Sequence, residues 1–157
     1  MTEFSHIEDD RARMVDIGEK AEVERSASAV GTIRLQPSTI AAIEEGTVEK
    51  GAVLTVSRVA GILAAKRVPE SIPMCHQVPL TSVDVDFDLD DDRVVARADV
   101  RTTAKTGVEM EALAAVNGAL LCVWDMVKSA EKDDDGQYPD TRIEGVRVLE
   151  KHKGSTG

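Results

Sequence analysis

From Val83 to Asp90 the chain alternates without a break: Val83, Val85, Phe87 and Leu89 interleave with Asp84, Asp86, Asp88 and Asp90. Successive side chains of a strand point to opposite faces, so this segment reads as a strand with one face buried and the other heavily solvated. Asp91 and Asp92 then turn the chain. Ala96, Ala98 and Val100 alternate in their turn with Arg97, Asp99 and Arg101, which predicts an antiparallel partner whose arginines can face the acids. The two form a hairpin.

The other elements follow from the same periodicities. Ala27, Ala29, Gly31, Ile33 and Leu35 alternate with Ser28, Thr32 and Arg34, predicting a first strand over 26–35. Ser38 is placed to cap a short helix running to Glu45, with Gly46 as its stop. Val56, Val59, Ala60 and Leu63 have the spacing of one helical face ending near Lys66 and Arg67, with Pro69 and Pro73 beyond. A long helix is expected from Val108 to about Lys132, with Leu113, Val116, Leu120, Val123 and Val127 on one stripe. After an acidic loop over 133–140, Ile143 to Leu149 reads as a last strand whose apolar parity shifts near Gly145, as a β-bulge would make it do. Strand, helix, strand, strand, helix, strand is the ferredoxin-like βαββαβ order, an α+β sandwich with an antiparallel sheet and helices on one face. The other face of that sheet would need cover, which points to an oligomer.

At 157 residues and 42% hydrophobic content the chain suits one domain. The expected layout is a single domain over 1–157, with an extended N-terminal segment over 1–25 and a flexible tail over 152–157. No uninterrupted apolar run approaches the roughly 20 residues of a bilayer span, and Met1 to Arg13 is acidic and polar where a signal peptide is basic and then apolar. A cytoplasmic location is expected, with Cys75 and Cys122 as free thiols. The formal net charge of -10, from 29 acids against 19 bases, argues against nucleic acid and anionic membranes as partners. It also has the halophile-like character that suits a salty cytoplasm. An anionic substrate would therefore have to be met by lysines and arginines gathered in one pocket.

Candidate chemistry concentrates on the long helix. Thr106 and Glu109 have the spacing of a capping box. Glu111, in the first turn, is favoured by the helix dipole as much as by any function, and Met110 between them is ordinarily core filler. Asp125 is different. It stands near the carboxyl end of the helix, where the dipole disfavours an anion, between Trp124 and Met126, with Lys128 one turn on. Partly buried, such a pair becomes an acid and base whose proton affinities respond to substrate charge. Lys50, just before a helix, is a loop lysine that an anion could recruit. Cys75 and His76 would point to opposite faces if their stretch were extended, which argues against a thiol–imidazole dyad. His6, His76 and His152 are scattered, no cysteine or histidine cluster has metal-ligand spacing, and no phosphate-loop or dinucleotide fingerprint occurs.

Glu111 and Asp125 are fourteen positions apart. On one straight helix that leaves them on similar sides but roughly 21 Å apart. If both serve one small reacting centre, two chains must build it.

In combination, Met14-Val-Asp-Ile17, the run from Lys20 to Arg25, Lys50-Gly51, Ala60-Gly-Ile-Leu-Ala-Ala-Lys-Arg67, Ile72-Pro-Met-Cys-His76, Lys105-Thr-Gly-Val-Glu-Met-Glu-Ala-Leu113 and Asp125-Met-Val-Lys128 closely resemble the molybdenum cofactor biosynthesis protein C family, the cyclic pyranopterin monophosphate synthases. The likeness runs from about His6 to Lys151. It implies a ferredoxin-like subunit in a homohexamer, a trimer of dimers with sites at dimer interfaces. It further implies a lyase acting on a GTP-derived cyclic triphosphate and releasing pyrophosphate. By the same resemblance Asp125, Lys128 and Lys50 are catalytic, Met74, Cys75, His76, Met110 and Glu111 bind substrate, and Arg25 and Lys151 look like phosphate contacts. No cofactor or metal of the protein's own is implied, magnesium carried in with the triphosphate being left open. Family members often have Leu at the position of Met74 and a glycine-rich, lysine-containing tail where His152 to Gly157 stands, and the acidic loop here is longer than usual. Two other classes stay in view: a non-catalytic oligomeric nucleotide-binding module, and a metal-dependent hydrolase, which the ligand spacing disfavours.

Overall fold

The structure, a computed structural model, describes residues 7–8 and 11–155. Two-residue strands β1 (Ile7–Glu8) and β2 (Arg11–Ala12) pair with each other. The main body follows as β3 (Val23–Arg34), α1 (Pro37–Glu45), α2 (Val53–Lys66), the single turn α3 (Val68–Ser71), β4 (Leu80–Asp90), β5 (Arg93–Ala104), α4 (Glu109–Glu131) and β6 (Arg142–Lys153). The four long strands form one antiparallel sheet in the order β4-β5-β3-β6, so the first and last strands of the βαββαβ unit are neighbours. The ferredoxin-like arrangement is therefore present, with α2 and α4 on one face. His6 lies outside the described residues.

One face of the sheet is Ala27, Ala29 and Ile33 of β3, Val94, Ala96, Ala98 and Val100 of β5, and Val85 of β4, and all of them are buried. The alternating strand behaves as its sequence demands. Val85 is 2% exposed while the side chain of Asp86, the next residue, is 76% exposed. Against this face α4 lays Ala112, Ala115, Val116, Ala119, Leu120, Val123 and Val127, none more than 1% exposed. By length and composition α4 is apolar enough to cross a bilayer, contrary to the expectation for this chain, but half of its most apolar stretch is taken up by this core. The helices approach closely. A Cβ at Gly118 would stand 2.6 Å from the Ala64 side chain, and one at Gly61 2.8 Å from the Ala115 carbonyl, so only glycine fits at this crossing.

Several local expectations need correction. Ser38 does not cap α1: Pro37 occupies the first turn, Gln36 is the N-cap without a side-chain cap bond, and Ser38 is already inside the helix. The Thr106–Glu109 capping box does not form, because α4 begins at Glu109 after Val108 and has no side-chain cap. Gly46 does end α1, in the left-handed conformation at φ 72°. Val56, Val59 and Leu63, expected to face the core, are 46%, 53% and 42% exposed. The inward side of α2 is instead the small-residue stripe Val53, Ser57, Gly61 and Ala65, which the close crossing with α4 requires.

The far side of the sheet is not an apolar surface awaiting cover. It carries charges of its own: Arg97 bonds Asp99 through two contacts of 3.1 Å, Ser28 donates to Asp99, and Asp92 accepts from Arg93 and Arg34. Arg97 does face Asp86 in register but bonds the acid two residues along its own strand. The strand boundaries also move outward. β3 begins at Val23, inside the segment expected to precede the fold, and β6 runs through His152 and Lys153, which pair with Ser26 and Arg25. The expected irregularity at Gly145 is present, as a register shift between Val30 and Thr32, and a second occurs opposite Ser28 and Ala29.

Candidate active site

Two clusters form, one toward each end of α4. At the amino-terminal end a cleft of about 380 Å³ is lined by Met74, Cys75, His76, Met110 and Glu111, among others. The loop from Ile72 to Pro79 contains turns and no strand, so Cys75 and His76 share this cleft instead of pointing apart. His76 donates from Nε2 to the Val15 carbonyl at 2.5 Å. A neutral His76 then presents Nδ1 as an acceptor. This bond, with that from Lys105 Nζ to the Gly18 carbonyl at 2.9 Å, ties the segment around Met14 to Ile17 beside the cleft.

Glu111 is 4% exposed. Burial raises its pKa first, the charge of Glu109 adds to the rise, and a backbone hydrogen bond opposes both. Burial likewise pushes the Cys75 thiol up, with the Glu111 charge second. Cys75 therefore stays a thiol at neutral pH, a soft contact for a ligand more than a nucleophile. Glu109 also lines the cleft and pairs there with Lys151 Nζ at 3.3 Å.

At the other end, Asp125 is gripped from two sides. Lys50 Nζ lies 3.0 Å from Oδ2 and Lys128 Nζ 3.1 Å from Oδ1, and Lys50 also donates to the Asp125 carbonyl at 3.2 Å. Lys128 gets there by helical spacing. Lys50 comes from the connection between α1 and α2, where Gly51 takes φ 106°, a conformation that admits glycine but rarely another residue. Hydrogen bonds from Lys50 and then Lys128 lower the Asp125 pKa. Its carboxylate is thus ionised at neutral pH. The cluster is open: the side chains of Asp125, Lys50 and Lys128 are 57%, 47% and 42% exposed, not partly buried as a finished acid–base site would be.

Residues 14–154 match the MoaC family. A relative from Methanosarcina mazei, named a probable cyclic pyranopterin monophosphate synthase, is 60% identical over 151 residues, or 96% of each chain. The chain belongs to the MoaC family. Another relative so named, from Thermococcus onnurineus, is 53% identical over 98% of both chains. One from Methanothermobacter thermautotrophicus, 56% identical over 98% of this chain and 96% of its own, is named a probable synthase accessory protein.

Of the residues the family resemblance singled out, this MoaC-family chain brings Met74, Cys75, His76, Met110 and Glu111 together in one cleft, and Lys50, Asp125 and Lys128 in one ion-paired group. It does not bring the two groups together within one chain. Arg25 and Lys151 are on the sheet and belong with the cleft rather than the Lys50–Asp125–Lys128 group: Arg25 donates to the carbonyls of Ala104 and Lys105, just before cleft-lining Thr106, and Lys151, opposite Ala27, pairs with cleft-lining Glu109. Two features escaped the sequence. One is the fully buried Glu131, which looks like a surface acid beside Lys132 and Asp133. The other is the outward apolar face of α2, whose spacing is that of a core stripe. Among the described residues no group of three or more histidine, cysteine or acidic side chains could hold a metal ion.

Proposed function

We propose that this chain converts (8S)-3',8-cyclo-7,8-dihydroguanosine 5'-triphosphate to cyclic pyranopterin monophosphate and pyrophosphate, a lyase reaction of molybdenum cofactor biosynthesis. The observation that carries the reading is the convergence of Lys50 and Lys128 on Asp125 in a chain so similar to proteins named for that activity. The reaction opens and recloses a guanine-derived ring and closes a cyclic phosphate as pyrophosphate leaves. It therefore needs proton donors and acceptors beside concentrated positive charge. Asp125 holds the two ammonium groups in place, Lys128 and Lys50 give and take protons, and their charge meets that developing on the phosphates. Arg25 and Lys151 add further positive charge toward the triphosphate. The cleft of Cys75, His76, Met110 and Glu111 takes the pterin-forming end, with polarizable sulfurs against the ring and Glu111 for its polar edge.

The active species in this reading is a cytoplasmic homohexamer, a trimer of dimers, whose sites each take the cleft of one chain and the lysine cluster of its neighbour. Two features support it. Glu111 and Asp125 stand roughly 21 Å apart along one helix. The outward face of α2, with Val56, Val59 and Leu63, and Leu121 of α4 at 60% exposure, offers apolar area for association. The protein supplies no metal of its own, and magnesium arrives, if at all, on the triphosphate.

The test is to supply the purified protein with the cyclic triphosphate and follow pyrophosphate release. Turnover is expected. Tight binding without release would instead favour a nucleotide-binding module.

A further inference from the structure

Glu131, the last residue of α4, is fully buried. The groups its carboxylate meets are hydroxyls and an amide in place of a cation. The Thr39 hydroxyl donates to Oε2 at 2.5 Å, the Thr141 hydroxyl to Oε1 at 2.7 Å, and the Gln36 backbone N–H to both oxygens at 3.1 and 3.3 Å. Gln36 Nε2 also donates to the Glu131 carbonyl at 3.5 Å. Taking a carboxylate out of water is costly unless its lone pairs are satisfied, and here they are satisfied by separate pieces of chain. Gln36 and Thr39 belong to the corner that starts α1, and Thr141 to the loop leading into β6. Because Gln36 makes no side-chain cap, Glu131 supplies from another helix the negative charge that the start of α1 would otherwise lack.

That fastening bears on Lys50. α1 has nine residues and so rises about 13 Å, while Glu131 lies six positions, or about 9 Å, beyond Asp125 on α4. The start of α1 is held at Glu131, and the connection that follows its far end meets α4 again at Asp125 through Lys50. Lys128 is one turn from the pin. We infer that Glu131 is a positioning residue, which by locking the start of α1 to the last turn of α4 sets Lys50 against Asp125 and Lys128. This rests on the reading of those three residues as the reacting group.

The two threonines separate positioning from mere stability. Thr39→Val and Thr141→Val each delete one buried hydroxyl bond to the same carboxylate, but only Thr39 lies on the helix that leads to Lys50. In the assembled full chain, assayed with the cyclic triphosphate well below each variant's Tm, Thr39→Val lowers kcat by about tenfold, since small misplacements of a reacting group are that costly. Its KM changes little. Thr141→Val lowers Tm comparably and leaves kcat within about twofold of the parent. Glu131→Gln, which keeps the shape and puts a donor among donors, lowers kcat at least as far as Thr39→Val. It also raises Lys50 labelling by an amine-reactive reagent, read by peptide mass spectrometry. Equal kcat for the two threonine variants, or a folded Glu131→Gln with unchanged kcat and labelling, overturns the inference, and if Glu131→Gln does not fold the threonine pair decides alone. Asp125→Asn is run beside them: full activity there would mean that the assignment of the reacting group has failed, a result distinct from failure of the pin.

Discussion

The two ends of α4 do opposite things with charge. At its start Glu111 is withdrawn from water, its pKa raised by burial, in a concave cleft walled by methionines and a thiol whose own pKa is raised. Near its end Asp125 lies in the open, its pKa lowered by two lysines that already touch it. The first end is a walled cleft that holds a buried acid, with Lys151 paired to Glu109 at its edge. The second is an ion-paired cluster with no walls. One is walled and the other open, and the length of the helix keeps them apart within a chain. On the function proposed above, the contrast teaches that the folded chain would prepare two half-sites and leave their union to assembly.

The sharpest way to break this division is Asp125→Asn, which preserves shape and removes the charge that holds both lysines. Turnover should fall by about 100-fold or more with assembly intact, by steady-state kinetics and light scattering. Near-normal rates would put the proton work elsewhere. A smaller effect is expected at the surface that would join the half-sites. Val59→Glu combined with Leu63→Glu on the outward face of α2 should weaken association by about 30-fold, as loss of a central apolar contact does, and activity should fall with particle mass on dilution. An unchanged mass would place the interface on another face.

Two titrations sharpen the electrostatic side. Lys50 is the first cause of the low Asp125 pKa, so Lys50→Met should move that pKa up, toward the ordinary 3.8, in a carbon-detected NMR titration. In the parent the carboxylate stays ionised until the pH falls through its depressed value, and in the variant it protonates earlier on the way down. The smallest effect belongs to Glu111→Gln. A carboxyl whose folded pKa is raised above 4.5 contributes stability that is fully present below that value and is lost as pH rises through the raised one. The glutamine variant should therefore match the parent in Tm at about pH 4 and exceed it by a few degrees at about pH 7. A variant less stable than the parent at neutral pH would mean that Glu111 finds a partner that offsets its burial.

Much of the fold was legible because its signals are local. The alternation of Val83 to Asp90 fixes a strand and its inward face in eight residues, and the bulge at Gly145 shows as a change of parity. Asp125 with Lys128 is a one-turn pair that helical spacing alone brings together. What was missed depends on partners remote in sequence. Val56, Val59 and Leu63 make an amphipathic stripe whichever way α2 rolls, and the roll is decided by Gly61 meeting Ala115 and Ala119 on α4. Glu109 answers Lys151 and not Thr106, because β6 runs four residues past its expected end at Leu149. Glu131 is satisfied by Gln36, Thr39 and Thr141, ninety-five, ninety-two and ten positions away, which no local pattern can announce.

The claim that the two ends of α4 serve one reaction from different chains is tested most directly by complementation. Glu111→Ala and Asp125→Asn chains, each inactive alone, are unfolded, mixed in equal amounts, refolded together and assayed for pyrophosphate release, with mixed assemblies verified by native mass spectrometry. Random pairing makes half of the dimers mixed, each with one undamaged site of two, so about a quarter of the parent activity should return. Verified mixed assemblies that stay as inactive as the separate variants would contradict the account.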